Sequence, residues 1–245
     1  METVTRCELS VGWNALEVEA YVMSGLLHCL PSADQALALL QFKHMFTYNP
    51  NASDCCYNPT TRSWNKTTDC CSWNGVYCDE VTGQVIVLDL SCCGRQGKFH
   101  TNSSLFQLSS LKRLDLSYND FSGSLISPKF SELSSLMHLD LSRSSFTGII
   151  PAEISHLSKL QVLRIWTVDP YRLRLGPYNF ELLLKNLTQL SYLQLDSVNI
   201  SSTIPLDFSS YLTTLLLPAT QLHGVLPKRV STFPTWKTLL YHPIP

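Results

Sequence analysis

The sequence has little charge and almost no imbalance of charge. Only 15% of its residues are charged, and 18 basic residues against 19 acidic ones leave a net charge of −1. This balance provides no electrostatic attraction to nucleic acid or to an anionic membrane surface, so we expect neither as a partner. Hydrophobic residues make up 44% of the chain, which is enough for a sizeable core and too much for a disordered segment.

Catalytic motifs are also missing. The seven histidines are scattered, and there is no H-E-x-x-H helix, no G-x-S-x-G elbow and no phosphate-binding G-x-x-x-x-G-K-[ST] loop. Paired acids such as Asp79-Glu80 fit a solvated turn more simply than an acid–base site. We therefore expect a binding protein with no catalysis, no cofactor and no metal ion.

Long apolar runs are absent as well. No run reaches the roughly 18 residues of a membrane span. Residues 1–28 contain four glutamates against Arg6, and the moderately apolar stretch 20–30 is interrupted by Ser24, Gly25 and His28. A secretory signal needs a basic start and then an unbroken apolar run, so we expect an atypical N-terminal segment without a clear signal peptide.

Cysteines and glycosylation sequons nevertheless indicate an extracellular chain. All cysteines except Cys7 lie between Cys29 and Cys93, which suggests a disulfide-stapled cap in an oxidising compartment rather than reduced cytosolic thiols. Five N-x-S/T sequons are the expected glycosylation sites; they are Asn51, Asn65, Asn102, Asn186 and Asn199.

Internal repetition predicts the fold. The pattern L-x-x-L-x-L, then an asparagine-type position, an apolar residue and glycine, begins at Val85, Leu111, Leu136, Leu160, Leu190 and Leu212. In the clearest unit, Leu139 and Leu141 alternate and point to one face of a short strand, and each unit covers the apolar face of its neighbour. We predict an α/β fold, a right-handed leucine-rich-repeat solenoid with a curved parallel sheet on its concave face. Its strands lie near 85–90, 112–117, 137–142, 161–166, 191–196 and 213–217.

The repeat is irregular in two ways: most units lack the inward asparagine, and one unit is longer than the others. Only Asn119 occupies the inward asparagine position, where its side chain satisfies backbone groups at a bend. The other units place different residues there, namely Cys93, Ser144, Val168, Val198 and Thr220. The unit that begins at Leu160 is stretched, and we expect residues 167–185 to form a loop that bulges from the solenoid.

An N-terminal cap precedes the repeats. Ser32 and Gln35 match the S-x-x-Q capping pair at the start of a helix. The residues expected to form its apolar face and to cover the first repeat are Ala36, Leu39, Leu40 and Phe46.

The cap cysteines suggest a pairing. Adjacent cysteines point in different directions, so the natural bonds are Cys71–Cys78 and Cys29–Cys70, which the chain-entropy model values at about 2.5 and about 4 kcal/mol. A zinc site is the competing interpretation, but the C-x₂₋₄-C spacing of zinc ligands is absent. The remaining pairs, Cys55 with Cys56 and Cys92 with Cys93, stay unassigned, with one bond between them an open option.

Four regions follow from these patterns: an atypical segment at 1–28, the cap at 29–84, about six repeats at 85–235, and an incomplete further repeat at 236–245. A solenoid must cover both apolar ends, and the last ten residues offer only Trp236, Leu239 and Tyr241 in repeat phase. We expect the chain, expressed alone, to be partly open or prone to aggregation beyond about Val230.

Residues between the inward leucines are the candidates for binding, because strand geometry places them on the concave face. Arginines and aromatics are enriched at interfaces, so the selected set is Arg113, Tyr118, His138, Arg143, Arg164, Trp166 and Tyr192. Asp89, Asp115 and Asp140 belong to a recurrent L-D-L-S unit and are more simply explained as solvating residues. An exposed Trp166 fits binding and packing equally well.

Several segments resemble a known family. Asp34-Gln35-Ala36-Leu37, Ser63-Trp64-Asn65 and the stretch from Cys70 to Cys78 are similar to the N-terminal cap of plant extracellular leucine-rich-repeat proteins. Ile150-Pro151, Ile204-Pro205 and Leu226-Pro227 resemble the plant repeat consensus. The amino-acid sequence from Asp34 to about Val230 resembles that of the receptor-like proteins of the tomato Cf class. The most specific segments are Gly97-Lys98-Phe99-His100 and Leu182-Leu183-Leu184-Lys185-Asn186-Leu187-Thr188.

The resemblance implies a cell-surface immune receptor that confers disease resistance, binds a protein or peptide ligand of pathogen origin, and signals through membrane partner kinases. Family members carry more repeats, a membrane span and a short tail, which this sequence does not display, so we expect no defence response from this chain alone. Two alternatives remain. One is a soluble inhibitor resembling the polygalacturonase-inhibiting proteins, which is disfavoured because no cysteine follows Cys93; the other is a non-functional truncated gene product.

Overall fold

A computed structural model describes residues 30–53, 55, 60–170, 172–205, 211–223 and 238–241. Helix α1 spans Leu30–His44, and helix α2 spans Pro177–Asn186. The strands in this part of the chain are β1 (Thr47–Tyr48), β2 (Val76–Cys78), β3 (Val85–Asp89), β4 (Arg95–Gln96), β5 (Arg113–Asp115), β6 (His138–Asp140), β7 (Gly148–Ile149), β8 (Val162–Arg164), β9 (Leu173–Arg174), β10 (Tyr192–Gln194), β11 (Thr214–Leu217) and β12 (Thr238–Tyr241).

One main sheet organises the solenoid. Its strand order is β2-β3-β5-β6-β8-β10-β11-β12, and every pair from β3 to β12 is parallel. The six strands expected from the repeat are therefore confirmed, each within the expected segment. Strand β2 was not anticipated; it pairs antiparallel with β3 and covers the first edge of the sheet.

A ladder of leucines forms the core beneath this sheet. The middle residue of each parallel strand is aligned with that of its neighbours, as Leu139 is with Leu114 on one side and Leu163 on the other. These side chains are almost completely buried, and burial of one leucine stabilises a fold by about 1.5–3 kcal/mol. The aligned and buried set is Leu88, Leu114, Leu139, Leu163, Leu193 and Leu215.

The opposite side of the solenoid consists of short helical turns. Three are 3₁₀ turns, at Ser104–Gln107, Pro128–Glu132 and Ala152–His156, and the stretched unit has α2 in the equivalent place. The expectation of a bulging loop over residues 167–185 is therefore wrong for most of its length. Leu173 is buried in β9, and Phe180, Leu183 and Leu184 bury one face of a ten-residue helix that begins at Pro177.

The inward asparagine position is filled as expected at Asn119. Its amide nitrogen donates to the carbonyl oxygens of Leu90, Leu116 and Ser117 at 2.8–3.1 Å, and its oxygen accepts from the Arg95 amide at 2.9 Å. Ser144 and Thr220 replace part of this bonding through single hydroxyls.

The assignment of Val168 to the inward position was wrong. Its side chain is 61% exposed, while the neighbouring Thr167 is buried. The longer loop of this unit shifts the chain by one residue, and an apolar side chain gains nothing at a bend where buried carbonyls need donors.

Helix α1 closes the first end of the solenoid. It begins at Leu30 and already includes Ser32, so Ser32 is not the residue that precedes the helix, as the expected S-x-x-Q capping pair requires. The buried Oε1 of Gln35 accepts from the Val85 amide at 2.7 Å. Leu39, Leu40 and Phe46 are buried as expected. Ala38 and Phe42 were missed, although they complete the i, i+3, i+4, i+7 face with Gln35 and Leu39.

A cluster of phenylalanines joins the cap to the repeats. Phe46 lies 4.9 Å from Phe121 between ring centroids, and Phe121 lies 5.3 Å from Phe146. Phe99 contacts Phe42 on the cap side and Phe121 on the repeat side, at 5.9 and 6.0 Å. Contacts of this kind fix the cap and the first three units as one packed body.

Within the described segments, no helix is both long and apolar enough to cross a bilayer. Strand β12 pairs in parallel with β11, which aligns Leu239 and Tyr241 with Leu215 and Leu217 of the preceding unit. The predicted repeat phase of Leu239 and Tyr241 is therefore confirmed. Of the residues beyond about Val230, where we expect the chain to be partly open or prone to aggregation, only Thr238–Tyr241 are described. Trp236 and residues 1–29 lie outside the described residues.

Candidate functional site

The concave surface is formed by the first and third residues of the parallel strands. Arg113, His138, Val162 and Tyr192 are aligned in one row across β5, β6, β8 and β10. Asp115, Asp140, Arg164 and Gln194 form the second row. The structure thus brings four of the predicted residues together on the sheet, which are Arg113, His138, Arg164 and Tyr192.

The other three predicted residues meet just beyond the ends of the strands. We call Tyr118, Arg143 and Trp166 the aromatic–arginine cluster. The Arg143 guanidinium lies 5.1 Å from the Tyr118 ring centroid and 5.4 Å from that of Trp166, and the two rings meet edge to face at 6.4 Å. Each contact of a cation with a ring stabilises by about 0.5–1 kcal/mol at a partly exposed site.

Backbone geometry holds this cluster in place. Tyr118 and Arg143 both have positive φ angles, 55° and 50°, where their chains bend out of the sheet. The Tyr118 amide donates to the Ser142 carbonyl, and the Arg143 amide donates to the Trp166 carbonyl at 2.8 Å. Side chains from three successive units are therefore aligned at the same rim of the sheet.

A polar network joins residues of the second row to Tyr192 of the first row. Arg164 lies 3.5 Å from an Asp140 carboxylate oxygen, donates to the Tyr192 hydroxyl at 3.3 Å, and stacks 4.8 Å from the centroid of that ring. The Tyr192 hydroxyl donates to Gln194, whose amide donates to Asp196 at 2.8 Å. Burial lowers the pKa of Arg164, but Tyr192 and Asp140 outweigh it and raise that pKa, so the charge is held firmly.

Two aspartates, Asp115 and Asp89, accept hydrogen bonds from residues at the bends that follow their strands. Oδ1 of Asp115 accepts from the Ser117 amide and hydroxyl at 3.0 and 2.6 Å, and Asp89 does the same for Ser91. Burial, followed by repulsion from Asp140 and Asp89, raises the pKa of Asp115 against those hydrogen bonds. These contacts support the structural explanation of the L-D-L-S units.

His138 lies between Arg113 and Val162 in the first row. Burial lowers its pKa, and the nearby Arg113 lowers it further, so the imidazole favours its neutral form. Arg113 itself lies 3.6 Å from Asp115. The face therefore offers a neutral hydrogen-bonding ring beside a paired, exposed guanidinium.

The cap disulfides are partly as expected. The predicted Cys71–Cys78 bond is present, and Cys55 bonds to Cys92, which fills the option left open between the two unassigned pairs. The expected partner of Cys70, Cys29, lies outside the described residues. The Cys70, Cys71 and Cys78 sulfurs lie within 4.8 Å of one another, but two of them are joined in the disulfide and are not thiolate ligands.

All five sequon asparagines lie at the surface. Four are exposed and Asn199 is half-buried, with its Oδ1 accepting from Ser201 of the same sequon at 2.6 Å. Asn65 likewise accepts from its own Thr67. Glycosylation of these sites stays a prediction.

One group of surface residues was missed by the sequence analysis. A shallow cleft lies beside the aromatic–arginine cluster, between the cap turn that carries Asn51 and the stretched unit. Its lining includes Asn51, Ser53, Tyr118, Arg143, Asp169 and Arg172. These residues are far apart in sequence, so no spacing rule could have joined them.

Comparison with known families agrees with the cap and the repeats. Residues 32–79 match the model described as leucine rich repeat N-terminal domain. Residues 110–133 and 135–157 match the model described as leucine rich repeat.

Similar proteins are plant receptors. Receptor-like protein Cf-9 of Solanum pimpinellifolium is 70% identical over 217 residues, which cover 84% of this chain and 25% of that protein. The chain therefore spans about a quarter of this relative's length.

Solved structures agree with the fold. The leucine-rich-repeat ectodomain of the Arabidopsis thaliana receptor kinase GASSHO1/SCHENGEN3, in complex with CASPARIAN STRIP INTEGRITY FACTOR 2, superposes with a TM-score of 0.60 at 28% identity, over 82% of this chain and 23% of that one. The BIR3–SERK2 complex of Arabidopsis thaliana contains a chain with a TM-score of 0.59 at 27% identity, over 78% of this chain and 95% of that one. Fold, cap and sequence together identify the chain as a leucine-rich-repeat protein of the plant receptor-like type, similar to the tomato Cf class.

Proposed function

We propose that this chain is part of the extracellular recognition region of a plant immune receptor. Its concave face binds a protein or peptide ligand of pathogen origin and performs no catalysis. The observation that carries the proposal is the aromatic–arginine cluster, Tyr118, Arg143 and Trp166, preassembled at the rim of a sheet whose sequence is 70% identical to Cf-9.

The chemistry of the cluster supports protein recognition. Tyrosine, tryptophan and arginine are the residue types that dominate binding energy at interfaces, because they offer large contact areas with a polar tip. Here they stand on a rigid parallel sheet, so little conformational entropy is lost when a partner binds. Arg164 in β8 and Tyr192 in β10 extend the same surface across the sheet.

The relatives support the remaining parts of the proposal. The name of the similar ectodomain structure records a bound factor, CASPARIAN STRIP INTEGRITY FACTOR 2. By the resemblance to the tomato Cf class, signalling passes to membrane partner kinases and the location is the cell surface. The disulfides Cys71–Cys78 and Cys55–Cys92 fit an oxidising extracellular compartment.

Capture of a ligand from infected leaves tests the proposal. The full chain, secreted and immobilised, is exposed to apoplastic fluid from leaf-mould-infected tomato, and captured proteins are quantified by mass spectrometry. A triple variant, Tyr118→Ala, Arg143→Ala and Trp166→Ala, removes the cluster. A matched control removes exposed residues of the helical side, Tyr178→Ala and Lys185→Ala.

The expected result is a pathogen protein that the parent and the control retain and the triple variant loses at least tenfold. Equal capture by the triple variant, or capture of host proteins alone, contradicts the proposal. Circular dichroism verifies that all three proteins are folded.

A further inference from the structure

The cleft beside the aromatic–arginine cluster is lined on its cap side by a glycosylation sequon. Asn51 and Ser53 line it from one side, Tyr118 and Arg143 from the centre, and Arg172 from the other side. Asn51, Ala52 and Ser53 form an N-x-S sequon. The acceptor for a glycan therefore lies within the wall of the cleft.

The segment that carries this acceptor is firmly attached to the repeats. Asn51 lies in the 3₁₀ turn Pro50–Ala52, which Asn49 caps by accepting from the Asn51 amide at 2.9 Å. The Asn49 amide donates to the Gly94 carbonyl at 2.8 Å, and the Asn49 side chain donates to Gln96 at 3.0 Å. These bonds fix the backbone position from which a glycan on Asn51 leaves the surface.

The size of the cleft decides between a free and a tethered occupant. Its volume is about 140 Å³, whereas pockets that enclose free small molecules have roughly 300–1,000 Å³. A free ligand would gain too little contact here to remain bound. A group attached at the wall needs little affinity of its own, because tethering supplies a local concentration in the millimolar range.

We propose that an N-linked glycan on Asn51 occupies this cleft and packs its first sugar against Tyr118 and Arg143. The inference rests on the extracellular location included in the proposed function. The lining suits such a sugar, since Arg143 can donate hydrogen bonds, the ion pair of Arg172 with Asp169 offers both donors and an acceptor, and Tyr118 adds aromatic surface beside Arg143 for the sugar C–H groups.

One consequence concerns recognition. The glycan covers the sides of Tyr118 and Arg143 that line the cleft, whereas Trp166 does not line it. Ligands then reach the cluster from the side of the sheet, so the Asn51 glycan limits the binding face at this rim.

Protection of the glycan from peptide-N-glycosidase tests the proposal. The full chain is secreted from plant cells behind an added signal peptide, and the occupancy of each sequon is read by glycopeptide mass spectrometry. Asn65 is the internal control, because it is exposed and lies outside the cleft lining. Peptide-N-glycosidase treatment of native protein gives release rates at both sites, and treatment after denaturation gives the reference rates.

We expect Asn51 to be occupied and released at least tenfold more slowly than Asn65 in native protein, with equal rates after denaturation. The variant Arg143→Ala, and separately Tyr118→Ala, should bring native release at Asn51 close to that at Asn65. Arg174→Ala, an exposed arginine in β9, should leave the slow release unchanged. If a variant loses its circular dichroism signal, Arg143→Lys replaces it, since lysine keeps the charge and loses the planar fork.

An unoccupied Asn51, equal native release at both sites, or slow release that persists in Arg143→Ala and Tyr118→Ala would overturn the proposal. None of these readouts involves a ligand, so failure here is distinguishable from failure of the recognition function. Failure of the parent chain to capture a pathogen protein, with normal glycan protection at Asn51, would count against the proposed function alone.

Discussion

Two neighbouring units of the solenoid solve the same packing problem with different loops. The unit at 136–159 is regular: Leu139 is buried, Ser144 closes the bend with its hydroxyl, and a short 3₁₀ turn returns the chain. The unit at 160–189 keeps Leu163 equally buried and in register, yet it exposes Val168 and returns through α2. The strand positions are therefore the same in the two units, while the loops between them differ in length and structure.

The two units contribute different side chains to the surface at the rim of the sheet. The regular unit contributes Arg143 at a fixed bend, and the stretched unit contributes Trp166 and Arg172 around it. Loops on a rigid scaffold commonly carry binding residues. The insertion therefore adds surface without a cost to the leucine ladder.

The largest expected effect tests whether both units share one core. Leu139→Ala and Leu163→Ala should each lower the free energy of unfolding by about 2–5 kcal/mol, because each leaves a cavity in a fully buried ladder. Urea unfolding of both variants measures this. Val168→Ala is the control and should change the free energy of unfolding by no more than about 0.5 kcal/mol. A similarly small change for Leu163→Ala would show that the stretched unit does not share the core.

The inward asparagine offers a second contrast. Asn119→Ala removes three donated bonds and leaves the Arg95 amide without its acceptor, so stability should fall by about 3 kcal/mol. Val168→Asn, at the position that counting from Leu160 assigns to the inward asparagine, should change stability by less than about 0.5 kcal/mol, because that side chain faces solvent. A clear gain from Val168→Asn would mean that this bend does need an inward amide.

Sequence alone identified the strands because a buried ladder repeats the same demand at every unit, as Leu114, Leu139 and Leu163 illustrate. It failed where a loop changes length, since counting eight positions from Leu160 selects Val168 only if the bend is unchanged. The helix at Pro177 was missed for the same reason. Asn51 and Arg143 lie on one cleft through tertiary packing, which no local pattern encodes.

The acidic groups should respond to pH with opposite signs. The raised pKa of Asp115 means that the folded chain holds this proton more tightly, so its stabilising contribution is complete below the ordinary value of 3.8 and is lost as the pH rises through the raised pKa. Asp115→Asn keeps an acceptor for Ser117 and cannot ionise. It should melt at a higher temperature than the parent at pH 7, and the difference should disappear below about pH 4.

Asp79 in the cap provides the contrasting control. Hydrogen bonds from Thr82 lower its pKa, so its contribution is present above the ordinary value and is lost as the pH falls through the lowered one. Asp79→Asn should therefore melt below the parent at pH 7. Thermal unfolding between pH 3 and pH 8 measures both variants, and the same sign of shift for the two would contradict these assignments.

The smallest effect concerns the contact between the two units. A double-mutant cycle of Arg143→Ala and Trp166→Ala should give a coupling energy of about 0.5–1 kcal/mol, as expected for a partly exposed cation over a ring. The cycle Arg143→Ala with Tyr178→Ala, an exposed aromatic residue of the helical side, is the matched control and should give no coupling beyond error. Coupling near zero in the first cycle would show that the cluster is not assembled in solution.

The central claim is that one unbroken ladder runs through both units and presents their side chains on a rigid face. Hydrogen exchange measures this most directly. The amides of Leu141 and Ile165, which donate to the next strand at 2.9 Å, should exchange equally slowly, while those of Val168 and Asp169 exchange within seconds. Exchange of Ile165 as fast as that of Val168 would contradict the claim.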